Sequence, residues 1–285
     1  MDLTSWVDFP VVGKFLKRGP KIPVIRLSGI IMDSTMRKNG LCYSRAAKMI
    51  EKAFSVQKAA AVAVVINSPG GAPAQSQLIG GLIRQMADEK ELTVYAFVED
   101  VAASGGYWLA CAADYIYVQE TSVVGSIGVI SAGFGLEDFI GKHGIKRRLY
   151  TAGQDKSMLD PFQPEKPGDV ARLRQVQKEL HEHFIRWVKN RRGGRLMGDD
   201  NELFEGRFWT GADALEYGIA DDVGDVRSVM REKYGEDIRL IDFNPDKRKL
   251  LPSIPGLLRS DVSEDWIGDV LSAIEDHGHW GRFGL

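Results

Sequence analysis

The segment AVAVVINSPGG, residues 61–71, decides the fold class of this chain. Its first part, residues 61–66, is a continuous apolar run of strand length, which indicates a strand buried on both faces. Two adjacent glycines, Gly70 and Gly71, then form a turn, and a helical pattern begins near Pro73. A buried strand that leads through a glycine turn into a helix is typical of a parallel sheet covered by helices. We therefore expect an α/β fold.

The same alternation of strand and helix patterns continues on both sides of this segment. Right-handed crossovers would place the loops after successive strands at one edge of the sheet, where such folds bind ligands. The predicted strands are 22–27, 61–66, 92–98, 114–118 and 145–151, and the predicted helices are 44–56, 74–90, about 104–113 and about 170–192.

The chain of 285 residues is long enough for one large domain with an appendage. We expect an N-terminal extension at 1–21, a main domain at 22–245, and a linker with a C-terminal amphipathic helix at 246–285. That helix is expected to dock on the main domain or on another subunit. The net charge of -2 and the absence of a basic reader motif argue against nucleic-acid binding.

The sequence contains no pattern typical of a metal site, a disulfide framework or a membrane-spanning helix. The two cysteines, Cys42 and Cys111, are far apart and lack metal-ligand spacing, so we expect neither a disulfide framework nor a metal site. No segment reaches the roughly 18 consecutive apolar residues of a spanning helix, and no secretory signal is present. We expect a cytoplasmic or peripherally membrane-associated protein, with residues 1–21 as a weak interfacial anchor or a subunit contact.

Ser104 is the candidate nucleophile, although a serine next to glycines is more often only a turn residue. At the start of a helix, its oxygen would lie near the positive end of the helix dipole. The amide of Gly105 would point to the same place, and Gly70 or Gly71 would offer a second donor from the neighbouring loop. Two such donors would form an oxyanion hole.

The general base has to come from another part of the chain. A buried lysine amine loses its proton near neutral pH more easily than an exposed one, because burial disfavours the charged form. Lys156 is the candidate, since it lies in a loop with Met158, Leu159 and Phe162 nearby. The five histidines are placed less well, in the long helix, at a helix end or in the C-terminal tail: His143, His181, His183, His277 and His279.

Four motifs in order and spacing carry a resemblance to a known family. Over residues 22–235 the chain resembles the single-copy signal peptide peptidase A, or protease IV, family of Ser/Lys peptidases. The resemblance implies a Clp/crotonase-like fold of repeated ββα units. The motifs are NSPGG (67–71), ASGGYWLACAADYIYVQETSVVGSIGVI (103–130), YTAGQDKSMLDPF (150–162) and FWTGADALEYGIAD (208–221).

The resemblance also implies a role for individual residues. Ser104 would be the nucleophile, Lys156 the general base, and Ser126 the hydroxyl that orients the lysine amine. The residues with backbone or supporting roles would be Gly71 and Gly105 in the oxyanion hole, with Asn67 and Gly70 behind them.

The implied activity is that of an ATP-independent serine endopeptidase without a cofactor. It would cleave signal peptide remnants or other unfolded chains through an acyl-enzyme, within a homo-oligomeric ring or dome. Unlike typical members of that family, this sequence is expected to have no N-terminal transmembrane anchor.

Two other functions stay open at this point. A crotonase-like enzyme acting on acyl-CoA thioesters would share the sheet and the glycine oxyanion hole, but it would need carboxylates where this chain has SGG. A non-catalytic scaffold that binds peptides would need none of the catalytic side chains.

Overall fold

The computed structural model describes residues 19–33, 40–153 and 155–244, together with residues 278, 280, 281 and 283. Nearly all of the expected N-terminal extension, linker and C-terminal helix therefore lies outside the described residues. In the described part of the chain, no helix has both the length and the apolar character needed to cross a bilayer.

Strands and helices alternate along the chain, as the apolar periodicity predicts. The strands are β1 (Lys21–Ser28), β2 (Val62–Ser68), β3 (Val94–Ala103), β4 (Tyr115–Val118), β5 (Val123–Gly125), β6 (Phe208–Thr210), β7 (Asp222–Val223) and β8 (Arg239–Phe243). The α-helices are α1 (Tyr43–Phe54), α2 (Pro73–Lys90), α3 (Gly105–Ala110), α4 (Glu137–Lys142), α5 (Pro167–Arg192), α6 (Asp200–Leu203), α7 (Gly211–Glu216) and α8 (Val226–Tyr234).

The described strands form one sheet with the order β6-β5-β3-β2-β1-β8, and β4 pairs with β3 and β7 beside this path. Only the pairing of β5 with β6 is antiparallel among these strands. Parallel neighbours need crossover connections, which the helices supply. The carboxyl ends of β1, β2 and β3 consequently meet at one edge of the sheet.

Strand β3 is longer than its apolar run predicts, because it continues to Ala103. Its first half pairs with β4, through Tyr95–Phe97, and its second half pairs with β5, through Val101–Ala103. The second half brings the end of β3 alongside the end of β5. As a result, Ser104 and Ser126, which follow these two strands, lie at neighbouring strand ends.

Both faces of the sheet are covered, as the run at 61–66 predicts. Val64 and Ile66 of β2 point into a core shared with α1, α2, α3 and α5. Ala63 and Val65 point into a second core, on the face that α8 covers with Val229. Alternate residues of one strand therefore pack in opposite directions, and every one of these strand side chains is buried.

The predicted strand at 145–151 is wrong. These residues have no regular secondary structure, and Ile145 and Tyr150 are 57% and 91% exposed. The run contains three consecutive cationic residues, 146–148, which cannot be buried in either core without partners. No described strand lies beside it to complete its hydrogen bonds.

Helix α5 holds the last turn of α3 by side-chain bonds to the backbone. Trp187 donates from Nε1 to the carbonyl of Trp108 at 3.0 Å, and Arg191 donates from Nε to the carbonyl of Cys111 at 2.9 Å. These carbonyls belong to the helix end, where they lack partners within the helix. The short helix that follows Ser104 is thus fixed at its far end.

Candidate active site

Ser104 occupies a strained position between β3 and α3. Its backbone angles are φ 50° and ψ -120°, in a region that residues with a side chain rarely adopt. Its amide donates to the carbonyl of Gly125 at 2.8 Å, and its own carbonyl accepts from Trp108 at 3.0 Å. Such strain costs about 1–3 kcal/mol and is maintained only where the surroundings impose it. The side chain lines an open cleft, as a nucleophile requires.

The two predicted oxyanion donors lie close to each other. A Cβ added to Gly105 would lie 3.3 Å from the amide nitrogen of Gly71, and one added to Gly70 would lie 2.8 Å from the amide nitrogen of Gly105. Among the described residues, neither the Gly71 amide nor the Gly105 amide donates a hydrogen bond. Unpaired amides beside a serine at the start of a helix are suited to stabilise a negatively charged oxygen.

Side chains at the end of β2 hold the glycine loop. Ser68 is fully buried; it donates from Oγ to the carbonyl of Gly29 at 2.7 Å and accepts from the amide of Gly70 at 3.2 Å. Asn67 joins the end of β2 to β3, because Nδ2 donates to Asp100 at 2.6 Å and Oδ1 accepts from the amide of Val101 at 3.3 Å. The sequence alone did not predict this role of Ser68, although Ser68 is part of the NSPGG motif.

Ser126 lines the same cleft as Ser104. It too has a positive φ, of 51°, and it is 8% exposed. Its amide donates to the carbonyl of Arg207 at 2.6 Å, which ties it to the loop before β6. The structure therefore brings together Ser104, Ser126 and the two glycine amides.

Lys156 is not brought to this group in the single chain. Its side chain is exposed, and in the described part of the protein no hydrogen bond joins its amine to Ser104 or Ser126. Its amide lies 3.5 Å from the carbonyl of Gly153, as part of a turn. The desolvation expected from the apolar neighbours in its loop is absent in this arrangement, because those side chains do not cover the amine.

The cleft has a cavity volume of about 370 Å³. Residues 30–32 and residues 128–130 are among those that line it. A smaller side cavity of about 30 Å³ opens next to Ser104, with walls from Trp108 and Phe184. Trp108 is 8% exposed, so it packs in the core and also forms part of this cavity wall.

Cys111 offers no competing nucleophile. It is completely buried below α3, and this burial raises the pKa of its thiol to about 12. A thiol with such a pKa stays protonated at neutral pH and reacts slowly, because the thiolate is the nucleophilic form.

For the peptide hydrolysis that the family resemblance implies, replacing Gly71 with alanine should lower kcat by about 10²–10³-fold, the loss expected for one oxyanion donor. The new Cβ would lie 2.0 Å from the carbonyl oxygen of Ile31, and the backbone has a φ of 142°, so the loop has to move. Steady-state kinetics on a peptide substrate measures this loss. Gly81→Ala is the matched control, since nothing lies within 4 Å of its Cβ. An unchanged kcat in Gly71→Ala would rule the Gly71 amide out.

Comparison with known proteins shows which family this chain resembles. A family model described as peptidase family S49 matches residues 86–236. A chloroplastic serine protease SPPA of Arabidopsis thaliana is 34% identical over 186 residues, which cover 63% of this chain and 27% of that protein. A Brucella abortus protein named Na(+)/H(+) antiporter NhaA is 46% identical over 273 residues. That match covers 93% of this chain but only 37% of the Brucella protein.

A solved structure supports the fold. A mutant of a membrane-bound stomatin-specific protease, in complex with a substrate peptide, superposes with a TM-score of 0.50 at 17% identity. The superposition covers 90% of this chain and 99% of the other. It confirms the predicted Clp/crotonase-like fold. Together with the matched family model, these findings show that the chain belongs to peptidase family S49, the serine peptidases that include signal peptide peptidase A and protease IV.

Proposed function

We propose that this chain is an ATP-independent serine endopeptidase with a Ser104/Lys156 dyad, which cleaves extended peptides such as signal peptide remnants. The observation that carries the proposal is the strained Ser104 beside the unpaired amides of Gly71 and Gly105. A hydroxyl, an oxyanion hole and an open cleft in one place are the requirements of acyl transfer. No organic or metal cofactor enters the proposed reaction.

The proposed reaction has two steps. The neutral amine of Lys156 takes the proton of the Ser104 hydroxyl as its oxygen attacks the peptide carbonyl. The amides of Gly71 and Gly105 stabilise the oxyanion, and the lysine then returns the proton to the leaving amine. Water, activated by the same amine, hydrolyses the acyl-enzyme and restores Ser104. Ser126 would orient the lysine amine during both steps.

The backbone and the side cavity of the cleft suit an extended peptide. Residues 128–130 have no strand partner among the described residues, so their backbone groups are free to pair with a peptide as an added strand. The side cavity next to Ser104 is small and has apolar walls, including Trp108 and Phe184. We infer that it accepts a small or apolar side chain beside the scissile bond.

A homo-oligomer, as a ring or dome, is the assembly we propose. The segment from residue 130 to residue 150 exposes an unusual number of large apolar side chains, which a monomer rarely leaves in water. Burial of this segment in a subunit contact would also change the surroundings of the Lys156 loop, which follows it directly. These side chains are Ile130, Phe134, Phe139, Ile145 and Tyr150.

Mass spectrometry tests the proposal in two ways, by detecting cleavage of a peptide and by locating a covalent label on the protein. Incubation with an unfolded signal-peptide sequence should produce internal fragments, and a serine-directed fluorophosphonate should modify Ser104. An intact peptide that binds without cleavage would favour the scaffold function instead. Binding of coenzyme A with no peptide cleavage would favour the acyl-CoA enzyme.

A further inference from the structure

His181 of α5 contacts the wall of the cleft, although the sequence offered no role for it. The ring is half-buried, and its Nε2 lies 3.2 Å from the carbonyl oxygen of Ile127. A carbonyl only accepts hydrogen bonds, so Nε2 carries the proton and donates it. This bond joins residues that are 54 positions apart in the chain.

Ile127 connects Ser126 to the residues that form the cleft wall. It directly follows Ser126 and directly precedes Gly128 and Val129, which line both the main cleft and the side cavity. Its side chain is fully buried, and residues 128–130, which line the cleft, follow it directly.

Few hydrogen bonds hold this wall in place within the described part of the chain. On the preceding side, the amide of Ser126 is fixed by the carbonyl of Arg207. On the following side, the next backbone amide that donates a hydrogen bond within the described residues is that of Leu136. Between Ser126 and Leu136, the hydrogen bond from His181 to the carbonyl of Ile127 is the one side-chain hydrogen bond to the backbone among the described residues.

The same face of α5 is part of the cavity. Leu180 and Phe184, on either side of His181 along the helix, both line the side cavity next to Ser104. Phe184 is buried and its ring packs against Trp108, with centroids 5.1 Å apart. His181 therefore projects from a helix that is already fixed against α3. Its hydrogen bond to Ile127 restrains the backbone of the wall relative to that helix.

We propose that His181 is a positioning residue that holds the backbone of 127–129 in the conformation that pairs with the peptide substrate. This inference rests on the proposed peptidase function for its substrate. The imidazole acts through Ile127 and does not contact Ser104, so its loss should weaken peptide binding more than it slows the chemical step. Because the wall is already ordered, peptide binding loses less conformational entropy and is therefore tighter.

The test compares His181→Leu, which cannot donate, with His181→Gln, which keeps an N–H donor on a flexible chain. For a peptide long enough to pair with 128–130, His181→Leu should raise KM about tenfold, the effect of one lost hydrogen bond, with kcat within about twofold of the parent. His181→Gln should restore most of the affinity. His183→Leu is the matched control, because His183 is exposed on the same helix and, among the described residues, its ring contacts the guanidinium of Arg186.

A binding measurement separates this inference from the proposed catalysis. In the inactive Ser104→Ala background, the peptide Kd should rise about tenfold on adding His181→Leu and should recover with His181→Gln. This difference would be seen even if the protein did not cleave the peptide, in which case only the proposed hydrolysis would fail. An unchanged Kd and KM in His181→Leu would overturn the positioning role. So would a lowered melting temperature in both variants without rescue by glutamine, since that result indicates general packing.

Discussion

Replacement of Ser104 by alanine or by glycine should abolish peptide hydrolysis, yet the two variants should differ in stability. Both lack the hydroxyl, and loss of a nucleophile of this kind lowers kcat by about 10⁴-fold or more. Alanine retains the Cβ that makes φ 50° and ψ -120° unfavourable, whereas glycine adopts these angles freely. After the extra entropy of glycine in the unfolded chain is subtracted, Ser104→Gly should be about 1 kcal/mol more stable than Ser104→Ala.

Thermal unfolding and peptide kinetics on the same preparations measure the two effects. The expected stability difference corresponds to about 3 °C in melting temperature for a domain of this size. Lys58→Gly is a matched control, since Lys58 is an exposed residue with a φ of 58° far from the cleft along the chain. It should become more stable without losing activity. A fully active Ser104→Ala would refute the nucleophile, and equal stability of the two Ser104 variants would refute the strain.

The sheet follows from local patterns in the sequence, because apolar periodicity reports directly on which faces are buried. The run at 61–66 and the helix at Pro73–Lys90 appear where the pattern predicts them. The false strand at 145–151 shows the limit of this reasoning. Its short apolar ends resemble a strand, but a strand needs a neighbour, and the presence of a neighbour is decided by the whole fold.

The grouping of the serine and the glycine amides could be predicted because each lies in a short motif that follows a strand. Ser104 with Gly105 lies in such a motif, and so does Gly71. His181 was missed because its partner, the carbonyl of Ile127, is a backbone atom distant in sequence. The exposure of Lys156 was missed for a related reason, since apolar neighbours in a loop do not specify which surface they cover.

Replacement of Lys156 by arginine should inactivate the enzyme as fully as replacement by alanine, with a loss of about 10²–10⁴-fold in kcat, the range expected for a general base. Arginine retains the positive charge and most of the length of the side chain, but its guanidinium cannot release a proton in the working range. Because Lys156 is exposed in the single chain, neither change should lower the melting temperature. Peptide kinetics at several pH values, together with thermal unfolding, measures both expectations. A variant with arginine that retained activity would show that only charge is needed at this position, and Lys156 would not be the base.

The exposed position of Lys156 leads to a second measurement, which asks how the amine reaches Ser104. Its loop has to close over the cleft of its own chain, or it has to enter the cleft of a neighbouring subunit through the apolar segment at 130–150. Mixing Ser104→Ala chains with Lys156→Ala chains distinguishes these routes. If the amine acts within its own chain, the mixture stays inactive, because every chain lacks one member of the dyad. If it acts across a subunit contact, random assembly of equal amounts should restore about a quarter of the parent activity, since a quarter of the sites then combine an intact serine with an intact lysine.

Replacement of the exposed Phe134 by serine in both chains is the control for assembly. If this change separates the subunits, which light scattering on the same samples measures, the recovered activity should be lost.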